Sequence, residues 1–221
     1  MQNALRNSPP QTELEALLKS NHLFLYGLIA ACCAVELTLS LDDLGLIGSG
    51  MLRHVVFEHA AFWPSQLFGR DPNFATQPYT MFLTYAFLHG GLIHLAINMV
   101  SLWSLGRAVL THASAGSFAL LYVATSLCGA AGLILLGERM NPMVGVSGAI
   151  FGLIGTLVAW DYLDRHSNWD GIQDVARVIL LLVGLNVFLW WATGGRLAWQ
   201  THLGGFVGGW IGALMIKRQP Q

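Results

Sequence analysis

Six stretches of this chain, residues 23–41, 90–105, 118–136, 144–160, 175–191 and 202–216, are apolar almost without interruption. A helix needs about 20 such residues to cross the hydrocarbon core of a bilayer. The stretches lack the two-residue alternation of strands, and backbone polar groups in lipid must be satisfied within a helix or a closed barrel. The expected fold is therefore all-α: a polytopic membrane protein with six spanning helices, the shorter ones sitting in thinned bilayer or among neighbours. Composition agrees. Only 10% of the 221 residues are charged, against roughly 25% in soluble domains, and mean hydropathy is +0.55.

The net charge of −1, with no basic run, gives nucleic acid nothing to bind to. Cys32, Cys33 and Cys128 all lie in apolar segments and read as small buried residues, neither a disulfide framework nor a metal cluster. No metal or cofactor is expected.

Residues 1–21 read as a polar cytosolic tail with a helical turn or two over 12–19, without the pattern of a cleaved signal peptide. Residues 22–217 form the membrane domain, and 218–221 a cytosolic end. Within the domain, the first outer loop, about 42–89, carries Phe57, Phe62, Trp63, Phe68, Phe74 and Tyr79 among Pro64, Pro72 and Pro78. Such aromatic content suits a partly embedded structure at headgroup level rather than a disordered linker. With the N-terminus inside, the inner side collects seven of the 11 Lys and Arg residues (Arg6, Lys19, Arg107, Arg165, Arg177, Lys217, Arg218) and the outer side four (Arg53, Arg70, Arg139, Arg196). That bias orients both termini to the cytosol.

Ionisable and polar groups inside a membrane are costly and so are functional candidates. His94 and Asn98 lie on the second span, Ser147 on the fourth and His202 on the sixth, three helices that run in the same direction. From His94 to Arg107, Ser147 to Asp161 and His202 to Lys217 there are 13, 14 and 15 residues. At 1.5 Å per residue the three groups stand roughly 20 to 22 Å above the cytosolic charges, at one level about 10 Å below the outer face. One shared site is the economical explanation. Gly148 and Gly152 on the fourth span, and Gly204, Gly208 and Gly212 on the sixth, are spaced four apart, and small faces let helices approach closely in lipid. The expectation is that these two faces pack on each other and bring hydroxyl to imidazole.

A serine hydroxyl needs a base within about 2.6–3.2 Å to become a nucleophile. His202 is the candidate. No Asp or Glu shares its depth, so the arrangement reads as a Ser147–His202 dyad rather than a triad. Phe151, one turn after Ser147, can pack on the imidazole. His94 and Asn98, at i and i+4, share a helix face and suit an oxyanion hole, although each could equally satisfy a buried backbone group. His89 is expected to support the outer loop, and Glu36 to pair with a polar group of the bundle or that loop.

Gly145-Val146-Ser147-Gly148 resembles the Gly-x-Ser-Gly nucleophile motif of rhomboid intramembrane serine proteases. His202-Leu203-Gly204-Gly205 resembles the general-base motif of that family, and His89 with His94-x-x-x-Asn98 its second-helix signature. The resemblance runs from about residue 79 to the end. It implies Ser147 as nucleophile, His202 as base, and an oxyanion hole made by His94, Asn98 and the Ser147 backbone N–H. It further implies substrates that are transmembrane segments of other membrane proteins, cut near their outer end, with Phe188, Trp190 and Trp191 of the fifth span flanking lateral entry from the lipid bilayer. The expected setting is a bacterial inner (plasma) membrane. Two departures stand out: the adjacent Trp-Arg pair of the first outer loop is absent, Trp63 and Arg70 being apart, and Thr201 replaces the alanine common before the base. Peptide-bond hydrolysis through an acyl-enzyme predicts a polar cavity open to the outer side. A proteolytically silent relative that binds transmembrane helices, and a channel using His94 and His202, are the alternatives; the channel predicts polar groups at several depths rather than one.

Overall fold

The computed structural model describes residues 11–164, 169–216 and 218. The first ten residues of the expected tail, with Arg6, and also Arg165, Lys217 and residues 219–221, lie outside the described residues. Among the described residues eight α-helices follow in order: α1 (Gln11–Asp43), α2 (Leu52–Ala60), α3 (Gln77–Thr84), α4 (Leu92–Leu110), α5 (Ala115–Leu136), α6 (Ser147–Asp164), α7 (Trp169–Ala192) and α8 (Trp199–Met215). The six long ones correspond to the six apolar stretches. The helical turn expected near residues 12–19 is instead the continuous start of α1, which is 33 residues long.

By length and composition, four helices among the described residues are long and apolar enough to cross a membrane: His22–Asp43 of α1, α4, α5, and Gly171–Ala192 of α7. The two shorter ones, α6 with 18 residues and α8 with 17, carry Ser147 and His202. Both are rich in glycine, and α6 is enclosed by α4, α5 and α8, with ten of its residues buried. A stripe of Leu203, Val207, Ile211 and Leu214 on α8 faces outward, while the rest of that helix is wedged against α5 and α6.

The glycine packing differs from the sequence expectation. Because α8 contains the doublets Gly204-Gly205 and Gly208-Gly209, it has two small faces about 100° apart. Gly204, Gly208 and Gly212 face α5, where added methyls would meet the Cys128 carbonyl, the Cys128 side chain and Leu121. It is Gly205 and Gly209 that meet α6, directly over the carbonyls of Gly148 and Gly152. One helix therefore packs closely on two neighbours at once.

The first outer loop is ordered and built into the bundle. Glu36 of α1 is fully buried, and Arg53 of α2 holds it with two hydrogen bonds of 2.7 and 3.0 Å. The same guanidinium reaches Asp43 at 2.6 Å and the His89 carbonyl at 2.9 Å. Bonding to Glu36 pushes the Arg53 pKa further above its ordinary value. Trp63 and Arg70, apart in sequence, are together in space: the guanidinium lies 3.9 Å over the indole ring and pairs with Glu58 at 2.6 Å. A loop turn through a short 3-10 helix, Pro64–Leu67, supplies the juxtaposition that adjacent residues would otherwise make.

Candidate active site

The segment that delivers Ser147 is pinned before the helix starts. Phe62 and Met143 exchange two backbone hydrogen bonds of 2.9 Å, and the Gly145 N–H donates to the Tyr85 carbonyl at 2.9 Å. Gly145 has φ +115°, a conformation that L side chains rarely adopt, and a methyl there would stand 3.0 Å from His94 Cε1. The glycine before the serine therefore does two things: it turns the chain into α6 and lets the backbone lie against the His94 ring.

Ser147 is the first residue of α6, so its backbone N–H has no acceptor within the helix and points out of the helix N-terminus. Its Oγ lies 2.9 Å from His202 Nε2. His202, in the first turn of α8, is buried at 5% exposure, and the Phe151 ring stacks on it at 4.1 Å with 4° between planes. That stack fixes the plane of the imidazole. Thr201, fully packed beside it, directs its hydroxyl to the Met143 sulfur and its methyl against Gly148 and Gly129, so the extra bulk relative to alanine fills space between α5, α6 and α8.

One residue in the site was not anticipated. Asn186, six residues before the end of α7, places Oδ1 2.6 Å from His202 Nδ1. The acceptor at this depth is an amide rather than a carboxylate, and its signal in the sequence is a single Asn in an otherwise apolar run from Val178 to Ala192.

His94 contributes from α4. Its Nδ1 accepts the Gly90 N–H at 3.1 Å, which leaves the proton on Nε2. Cε1 and Nε2 form the ring edge that lies against Gly145, two residues from Ser147. Asn98 is buried and donates from Nδ2 to the His94 carbonyl at 2.8 Å. One of its two amide hydrogens is therefore spent on its own helix, and only the second can serve a ligand. His89 is fully buried, its ring 5.3 Å from that of His94, and neither ring nitrogen has a hydrogen-bond partner. Burial, aided by His94, pushes its pKa down to about 4, so it sits neutral behind the site.

Ser147 and His94 are half-buried, in contact with both the packed interior and the open side of the bundle. Phe188, Trp190 and Trp191 are exposed on α7, and α7 itself is thinly packed, with α6 as its main helix partner.

The comparison with known proteins follows the same residues. The Rhomboid domain matches residues 76–219, which contain Tyr85, His89, His94, Asn98, Ser147, Phe151, Asn186, Thr201 and His202, whereas Phe62 and the loop residues around Glu36, Arg53, Trp63 and Arg70 precede it. The chain is similar to rhomboid protease GluP of Bacillus subtilis (strain 168), with 31% identity over 134 residues, covering 61% of this chain and 25% of that protein. It is 30% identical over 140 residues to RHOMBOID-like protein 5 of Arabidopsis thaliana, covering 61% and 43%. With Rhomboid protein 1, mitochondrial, of Saccharomyces cerevisiae (strain ATCC 204508 / S288c) identity is 29% over 163 residues, covering 62% and 42%. The alignments thus span less than half of each of these relatives. With a domain match over well above half its length, this chain belongs to the rhomboid family.

Proposed function

We propose that the protein is an intramembrane serine endopeptidase that hydrolyses a peptide bond in or near the transmembrane helix of membrane-protein substrates. The observation that carries the reading is the 2.9 Å contact between Ser147 Oγ and His202 Nε2 inside an apolar bundle. In the first step the hydroxyl proton passes to Nε2 while Oγ bonds to the scissile carbonyl carbon. The negative charge arising on the carbonyl oxygen is met by the Ser147 backbone N–H at the positive end of α6, by His94 Nε2–H and by the second Asn98 N–H. Breakdown returns the proton from Nε2 to the leaving amine, giving an acyl-Ser147 ester. Water then attacks the ester carbon with His202 again taking its proton; the bond to Oγ breaks, Nε2 returns that proton to Oγ, and the new carboxylate leaves a restored Ser147 hydroxyl. Half-exposure of Ser147 and His94 gives that water a path.

Substrate helices enter from the lipid beside α7, past Phe188, Trp190 and Trp191, because that flank holds the fewest packing contacts to displace. Both termini face the cytosol in this reading, with the domain beginning near residue 22 and the site opening to the opposite side. Cleavage of a reporter transmembrane segment in proteoliposomes by wild type, Ser147→Ala and His202→Ala tests it. Wild-type cutting is expected, with loss in both variants; cutting retained in Ser147→Ala removes the serine mechanism, and a wild type that cuts no helix leaves a binding role.

A further inference from the structure

We propose that Asn186 is a positioning residue that fixes the tautomer and ring orientation of His202, making the functional unit Ser147–His202–Asn186. The inference rests on the serine-protease reading above and deepens it. An imidazole can accept the serine proton at Nε2 only if its proton resides on Nδ1, and some acceptor has to hold it there. Asn186 Oδ1, at 2.6 Å from Nδ1, is that acceptor.

The assignment of the amide is decided by its own second bond. Asn186 Nδ2 donates to the Leu182 carbonyl at 2.8 Å, a group that can only accept. The amide nitrogen is therefore committed to its own helix, and the atom turned to His202 is the oxygen. An acceptor facing Nδ1 requires Nδ1–H, which leaves the Nε2 lone pair for Ser147 Oγ at 2.9 Å. The two bonds and the Phe151 stack at 4.1 Å then define the ring completely: its plane, its flip state and its proton. A neutral amide can fill this role because orienting the base, rather than neutralising it, is the task; Cys–His–Asn hydrolases use asparagine in the same way. The bond also joins α7 to α8, so the base is held from two helices, one of them the thinly packed α7.

A polar residue that merely glues two membrane helices would share the contact but not its chemical consequence, and the test separates the two. Full-length wild type, Asn186→Leu and Asn186→Asp, the last retaining an acceptor oxygen, are reconstituted and assayed on a reporter transmembrane segment, with Ser147→Ala alongside. The same proteins carrying [15N]histidine give the ring-nitrogen shifts of His202, assigned by their disappearance in His202→Gln. In wild type the expected pattern is Nδ1 protonated and Nε2 bare. Asn186→Leu is expected to mix the tautomers and to lower kcat by about 10- to 100-fold, with KM within about threefold, a smaller loss than the ~10⁴ seen when a triad histidine is held in the wrong tautomer. Asn186→Asp is expected to recover most of kcat. Thermal unfolding checks that Asn186→Leu is folded, and the Asp variant with the wild-type shifts decides the matter where it is not. A wild-type ring with its proton on Nε2, or an Asn186→Leu with wild-type kcat, overturns the inference while leaving Ser147-dependent cleavage intact. Equal cutting by wild type and Ser147→Ala overturns the underlying serine reading, and the inference with it.

Discussion

Gly205→Ala puts the helix packing to its sharpest test. Gly205 faces the carbonyl of Gly148, the residue next to Ser147, and lies one turn beyond His202. A methyl added there collides with that backbone oxygen, which unlike a side chain has nowhere to swing. To regain ordinary contact near 3.5 Å, α6 and α8 must separate by on the order of 1 Å. Separation at this point carries Ser147 away from His202, stretching their 2.9 Å contact to about 4 Å, outside the range of about 2.6–3.2 Å in which a base can take the proton. Misplacement of that size costs roughly 10² in rate. Stability should suffer less, since overpacking of about 1–3 kcal/mol is partly offset by the roughly 1 kcal/mol gained when alanine replaces glycine in a helix. Gly27→Ala on α1 is the control, because nothing lies within 4 Å of a methyl at that position. Initial cleavage rates in proteoliposomes, with thermal unfolding in parallel, measure both effects. A Gly205→Ala protein that cuts at the wild-type rate refutes the close approach, and an equal loss in Gly27→Ala refutes the link to the site.

Three further outcomes are expected. Arg53→Met leaves the fully buried Glu36 without its cation and should destabilise by about 3 kcal/mol in thermal unfolding, whereas adding Glu36→Leu should recover most of the loss; a double variant as unstable as the single one contradicts the pairing. Burial holds His89 at about 4 in the folded protein, below the ordinary 6.5. Between those values the unfolded chain binds a proton that the folded one does not, so stability falls as pH drops through this window, by up to about 3 kcal/mol. His89→Leu removes that component, and the drop in unfolding midpoint from pH 7.5 to 5 should be smaller than in wild type; parallel drops argue that the acid sensitivity lies elsewhere. Phe151→Leu removes a ring stacked 4.1 Å from the imidazole, a contact worth about 0.5–1.5 kcal/mol, so kcat should fall about 2- to 12-fold with little change in KM; an unchanged kcat shows that the ring is held without it.

What could be read from the sequence, and what could not, follows from the physics of each feature. Long apolar runs have one solution in lipid, so the six long helices were legible, and the common depth of His94, Ser147 and His202 followed from helix rise alone. Facing directions were less legible. Spacing of four marks Gly204, Gly208 and Gly212 as one face and Gly205 with Gly209 as another, but nothing in a one-dimensional pattern says which face meets α5 and which meets α6. Contacts made by loop folding were least legible: six residues lie between Trp63 and Arg70, and only the turn through Pro64–Leu67 stacks them. Asn186 is a different case. Its sequence signal was as strong as that of Asn98, a lone amide in an apolar helix, but it lay on a span that runs opposite to the three already matched in depth. On a span that runs the other way, depth is counted back from the helix end rather than forward from its start. Asn186 stands six residues before the end of α7 at Ala192, about 9 Å at helix rise, and that end leads directly into α8, whose first turn carries His202; counted this way, Asn186 is the natural partner for the second nitrogen of His202.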